Sequence, residues 1–247
     1  MLKASTKTVA ALLAALAGIV LALHGAHVIT ASPRLLLACV ITSSALAALA
    51  TIGAAWGEWR ERRLGARREL ADIQLTAAAW AIVDQVAPQL DYRDLGLAVY
   101  RVERIWWWPF RSRLRRLHRV RSSRRPTTSD VRWKPGKGVI GACVARGEVV
   151  AVDLNQMYRD LGARTKDEWP SVPDDVRLGL TWEEYVDVRD KYEVVVASPV
   201  IDDSGTRSRV LGCVALDAPD GRFADLTSDE VLGLLNSAAQ GLLHQVG

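Results

Sequence analysis

Two long stretches without Asp, Glu, Lys or Arg open the chain, over 8–33 and 35–57. Each exceeds the roughly 20 residues that a helix needs to cross a hydrocarbon core about 30 Å thick. The pattern predicts two transmembrane helices, about 8–31 and 35–56, forming a hairpin over 1–57. A secretory signal peptide is the competing reading of the first run, because Lys3 and Lys7 precede it. Its length, the lack of an A-x-A-like site and the second run just after Arg34 favour the hairpin. The short turn "TASPR" places the two helices antiparallel and in contact. Small residues recur every fourth position, at Ala10, Ala14, Gly18 and Ala22 and again at Ser43, Ala47, Thr51 and Ala55. Such stripes let helix backbones approach closely in lipid. His24 and His27 fall near the outer end, as interfacial anchors do.

The pattern then turns amphipathic. A helix is expected over 58–87, ending before Pro88, since the residue before a proline disfavours the helical region. Ala66, Leu70, Ile73, Ala77 and Trp80 alternate steps of four and three, the spacing of a coiled-coil seam, with Arg63 and Asp84 breaking it at the ends. The same stripe could also pack on the domain that follows, and the two readings are compatible. Past Asp91 the period becomes two: "LGLAVYRVE" and "LRRLHRVRSS" read as strands of a hairpin whose long connection is "RIWWWPFRSR". Val194, Val196, Val210, Cys213 or Val214, and Leu216 mark a second antiparallel pair. A last helix follows Thr227 or Ser228, with Asp229 and Glu230 suiting its dipole. Its stripe of Val231, Leu235, Ala238 and Leu242 is wide enough for a sheet and a partner helix.

Charge orients the hairpin. Lys3 and Lys7 flank the start, Arg34 marks the turn, and Arg60, Arg62, Arg63, Arg67 and Arg68 crowd the exit. The positive-inside rule puts both termini in the cytoplasm, at a cell inner membrane. Cys39, Cys143 and Cys213 are then reduced thiols. Ten arginines between Arg101 and Arg125 face one acid, Glu103. Nucleic acid would suit such a run, because phosphates dominate that affinity. Tethering near anionic lipid favours the membrane surface instead, with Trp106, Trp107, Trp108 and Phe110 at headgroup level and Arg111 and Arg113 on phosphates.

Gly136, Gly138 and Gly141 have G-x-G-x-x-G spacing, but no buried strand precedes them and the apolar run after them is short, so a dinucleotide turn is excluded. "PGKGVIGACVARGEVVAVDL", ending in Asp153, resembles the central segment of GAF domains. "VVVASPVIDDSGTRSRVLGCVALDAPDGRFADLTSDEVLGLLNSAAQGLLHQV" resembles their C-terminal part, and the resemblance spans about 70–246. It implies an α+β fold, an antiparallel sheet flanked by helices. The expected organisation is a membrane hairpin over 1–57, a juxtamembrane helix over 58–88 and a GAF-like domain over 89–247.

The family binds small molecules on one sheet face, beneath a variable segment. Here that segment is 155–191, and the resemblance implies ligand contacts from Tyr158, Trp169, Trp182, Tyr185 and, just before it, Asp153. The cyclic-GMP consensus and a bilin attachment cysteine are not recognisable, so no cofactor is assigned. Cys143 and Cys213 lie in apolar runs, where a thiol is inert, and His118 and His244 are isolated. A catalyst or metal site is not expected. The expectation is a non-enzymatic membrane sensor, a homodimer or higher homo-oligomer through its first and last helices, that binds a small molecule or partner. The alternative is an effector whose GAF-like domain senses a nucleotide-type signal while oligomerising hairpins perturb the bilayer.

Overall fold

The computed structural model describes residues 17–27, 30, 32–86, 90–105, 108–121, 129–162, 164–219 and 221–247, without the side chains of Arg60, Val86, Ile105 and 108–111. The chain divides into two compact units, Met1–Gly65 and Ala66–Gly247.

In the first unit, 17–25 is helical and His27 sits at φ 58° in the turn that follows. Helix α1 (Pro33–Val86) begins with Pro33 at its first position, where a missing N–H costs nothing. Ser43 and Thr51 donate their hydroxyls to Val40 O (3.1 Å) and Ala47 O (2.9 Å), which satisfies them within an apolar helix. Trp56 and Trp59 sit with ring centroids 5.4 Å apart, and the Arg63 guanidinium lies 5.3 Å from the Trp59 ring. Among the described residues one helix is long and apolar enough to cross a membrane, by length and composition; its best window has a mean hydropathy of 2.3. The second predicted span and the juxtamembrane helix are therefore one unbroken helix of 54 residues. Gly57 does not end it, because the following turn is built from Glu58, Trp59, Glu61 and Arg62, and Glu58 pairs with Arg62 at 2.6 Å one turn on. Half of the first predicted span, and Pro88, lie outside the described residues.

The second unit is α+β. Five antiparallel strands, β1 (Gly96–Ile105), β2 (Trp108–Arg121), β3 (Val150–Asp153), β4 (Val194–Asp202) and β5 (Arg209–Ala218), lie in the order β2-β1-β5-β4-β3. The β1–β2 hairpin is longer than its pattern suggested. Glu103 pairs with Arg113, Arg104 with Ser112 and Ile105 with Trp108, so strand replaces most of the expected loop. A register shift at Arg104/Ile105 accommodates it.

Period-two alternation gives the sheet two faces. Leu97, Val99, Val196, Val214 and Leu216 face one core, shared with α1, α7 (Asp229–Gly241) and α8 (Leu243–Val246). The face that α1 commits to it is Ala71, Leu75, Ala78, Ala79 and Ile82. Ala66, Leu70, Ile73, Ala77 and Trp80 are exposed, and the stripe meets the domain at its end, where the Trp80 ring stacks on Tyr92 with centroids 4.6 Å apart. Helix α7 starts at Ser228, whose hydroxyl accepts from Val231 N, and buries Val231, Leu235 and Ala239.

The other face carries Ala98, Tyr100, Val195, Ala197, Cys213 and Ala215. Helix α2 (Gly138–Arg146) covers them with Val139, Ile140, Cys143 and Val144. The glycine-rich turn makes this approach possible: Gly138 has φ 64°, and a Cβ on Gly141 would lie 2.4 Å from Lys134 O. The segment after β3 adds α3 (Leu154–Leu161), the single-turn α4 (Asp174–Arg177) and α5 (Trp182–Arg189), with a small core of its own. Beyond β5 lies α6 (Phe223–Leu226).

Candidate functional site

A cavity of about 60 Å³ lies between the second sheet face and the helices that cover it. Its floor is Ala98, Val195 and Ala215, and its roof is Val139, Ile140 and Leu154. Trp133, Leu178, Leu180 and Val188 close the sides. Small residues on the central strands create the space, because bulkier ones there would meet α2.

The polar lining is sparse, with Tyr100 and Asp217 buried and the rest half-buried. Tyr100, Tyr158, Tyr192, Arg119 and Asp217 all reach the cavity. Burial pushes the phenols of Tyr100, Tyr158 and Tyr192 up, so all three are neutral donors. The buried Tyr158 hydroxyl has no hydrogen-bond partner among the described residues.

Strand pairing places the charges. Arg119 stands opposite Ala98 and Arg121 opposite Gly96, while Asp217 is opposite Gly96 from the other side, so all three share the cavity face. Arg121 Nη2 lies 2.8 Å from Asp217 Oδ2 and Arg119 Nη2 lies 3.7 Å from Oδ1. Burial raises the Asp217 carboxyl, with Arg121 and Arg119 pulling against it. Burial also lowers Arg121 below its ordinary value, with Asp217 opposing. Both shifts say that charge here is costly and incompletely compensated. Nη2 of Arg119 and Nε and Nη1 of Arg121 are buried without hydrogen-bond partners among the described residues.

The covering segment is fastened at its edge. Lys137, just before α2, donates to both oxygens of Glu184 at 2.7 and 2.8 Å. Glu184 closes a capping box with Thr181 at the start of α5. Asp187 accepts from Ser129 at 2.7 Å and pairs with Lys191.

Of the predicted ligand contacts, Tyr158 lines the cavity. Trp169, Trp182 and Tyr185 pack on one another with ring centroids 4.4 to 5.8 Å apart, and Trp169 Nε1 donates to Leu180 O at 3.1 Å. Tyr185 reaches Tyr158 edge-on at 5.1 Å, one layer behind the cavity wall. Asp153 caps α3 by accepting from Gln156 N and borders a separate open hollow. Trp106 and Trp107 lie outside the described residues. Trp108, Phe110 and Arg111 belong to β2, and their side chains lie outside them too. Arg113 is exposed and pairs with Glu103 at 2.7 Å, as Arg115 does at 3.2 Å.

Glu103 does not stand against the arginines by itself: Asp217, from a distant part of the sequence, takes Arg119 and Arg121 inward. Arg119, Asp217, Tyr192, Tyr100 and Trp133 escaped the sequence reading. Arg119 and Arg121 are two apart in a strand, a signal that they share a face, but only the sheet order shows which face is covered. Cys143 and Cys213 are buried free thiols. The hydrogen bond with Cys143, then burial, pushes Cys213 well up, which disfavours the thiolate. Among the described residues no cluster of three His, Cys, Asp or Glu gathers for a metal ion.

No family model matches the chain, and no curated protein matches it. Solved structures do. The type II free methionine-R-sulfoxide reductase of Thermoplasma acidophilum is similar at 15% identity and TM-score 0.42, over 73% of this chain and 94% of that one. A structure described as a GAF domain is similar at 12% identity and TM-score 0.39, over 71% and 88%. The free methionine-R-sulfoxide reductase of Neisseria meningitidis, solved with its substrate, is similar at 14% identity and TM-score 0.39, over 75% and 84%. At these scores the likenesses carry no argument about what this chain binds or does.

Proposed function

We propose that this chain is a membrane-anchored, non-enzymatic GAF-like sensor that binds a small molecule and passes the signal through dimerised helices to its membrane segment or to a separate protein. The observation that carries this reading is the cavity: an apolar chamber on one sheet face, with a few converging polar groups, is the usual form of a small-molecule site. The opposite sheet face holds α1, whose N-terminal half is apolar enough to cross a membrane. The exposed stripe from Ala66 to Trp80 supports dimerisation through that helix.

The test is a thermal-shift screen of the full-length chain in detergent micelles, against short carboxylic acids, their amides, sugars and nucleotides. At least one compound raises the melting temperature, following RT ln(1 + [L]/Kd), and Ala215→Phe, which fills the cavity, removes the shift. A folded Ala215→Phe protein that keeps the shift, or a screen without any stabiliser, overturns the reading.

A further inference from the structure

The polar side of the cavity is cationic and short of acceptors. Two guanidinium groups, from Arg119 and Arg121, meet one carboxylate, Asp217, and side-chain exposure is 16%, 12% and 12% respectively. Arg121 takes Asp217 at 2.8 Å, whereas Arg119 lies 3.7 Å away, too far for a hydrogen bond. Nη2 of Arg119 is buried and without an acceptor among the described residues. So is the hydroxyl of Tyr158, which lines the same cavity. Buried donors of this kind normally have partners, and an unmade bond to a charged group is costly. An anionic group in the cavity would offer acceptors to these donors.

Size limits what carries that oxygen. One water needs roughly 10–15 Å³ of such space, so the cavity holds a body of roughly four to six heavy atoms. Drug-sized sites enclose roughly 300–1,000 Å³. A nucleotide is far too large. The remaining walls, Val139, Ile140, Leu178 and Ala215, are apolar and favour a hydrocarbon body.

We propose that the cavity binds a small aliphatic carboxylate, its carboxylate on Arg119 and Tyr158 and its hydrocarbon body among Val139, Ile140 and Ala215. The inference rests on the sensor reading for the cavity and adds the ligand's charge and size. Asp217 accepts its hydrogen bond from Arg121 and not from Arg119, so Arg119 stays in ion-pair range at 3.7 Å with its Nη2 still short of an acceptor among the described residues.

The probes are isobutyrate, its neutral isostere isobutyramide, and AMP, titrated by thermal shift against the full-length chain in micelles. Isobutyrate binds at least about 10-fold more tightly than the amide, as expected for a charge-assisted bond. Arg119→Gln abolishes the preference for acid over amide, and Arg119→Lys retains part of it. Amide binding equal to acid binding in the wild-type chain overturns the carboxylate inference while leaving a small-molecule pocket standing, and needs no variant. Tighter binding of AMP than of isobutyrate overturns the size limit. Failure of all three probes, together with an empty wider screen, overturns the pocket itself.

Discussion

Asp217 on β5 reaches Arg121 on β2 across the intervening strand, at 2.8 Å, and the residue between them is Gly96. A Cβ on Gly96 would lie 2.5 Å from Asp217 Oδ1. The buried pair therefore exists because β1 has no side chain at its first residue. Gly96→Ala is expected to lower stability by about 1–3 kcal/mol, the usual cost of forcing atoms into filled space, read as a lower melting temperature in micelles. Gly233→Ala is the control: it lies in α7 with nothing within 4 Å, and should raise stability by about 0.5–1 kcal/mol.

The bond between Lys137 and Glu184 makes stability depend on acid. Burial works to raise the Glu184 carboxyl, but hydrogen bonds from Lys137 and Thr181 hold it below its ordinary 4.5. A carboxyl depressed on folding contributes stability that is present above pH 4.5 and disappears as pH falls through the lower, folded value. Glu184→Gln should cost about 1–3 kcal/mol at pH 7 and flatten the acid limb of a melting-temperature profile measured between pH 3 and 7. A limb as steep as in the wild type would show that the pair contributes nothing.

The two sides of α1 should respond differently to mutation. Leu75 is fully buried against the sheet, so Leu75→Ala should cost about 2–5 kcal/mol. Ile73 is 59% exposed, and Ile73→Asp should leave the melting temperature within about 0.5 kcal/mol of wild type when the protein is monomeric. If that stripe joins two copies, Ile73→Asp converts a dimer to a monomer in light scattering of micelle-exchanged protein. A dimer that survives the substitution places the interface elsewhere.

A sensor leaves membranes intact. Liposomes reconstituted with the full-length chain should retain an encapsulated dye on addition of isobutyrate or AMP. Leakage triggered by AMP would favour the bilayer-perturbing alternative. On the orientation proposed from the arginines after Gly57, a reporter at the carboxyl terminus stays unlabelled by impermeant reagents in intact cells, and labelling from outside overturns that orientation.

Much of the domain was legible because its signals are local. Alternating Val and Leu mark the strands, and Thr227 or Ser228 marks the start of α7, which the structure caps with Ser228. The continuity of α1 was less visible, since charge-free composition and amphipathic period suggest two elements where backbone bonding makes one. The buried face of α1 is not the one that the strongest periodic signal marks. Leu70, Ile73 and Trp80 dominate the periodic signal, yet the face laid on the sheet is Ala71, Leu75, Ala78, Ala79 and Ile82, whose three alanines let the helix lie close. The cavity depends on residues far apart in sequence: Ala98, Arg119, Tyr158 and Asp217 meet through sheet order and helix cover, which no short window encodes.

Under the proposed sensor reading, the two sheet faces also set how far a message has to travel. Ala98 looks into the chamber while its neighbours Leu97 and Val99 look into the core that α1 shares, so a single backbone ribbon is the whole partition between them. An occupant that pushes on Ala98 need move that ribbon by only a fraction of an ångström to be felt on the far side, because close-packed interiors transmit displacement instead of absorbing it.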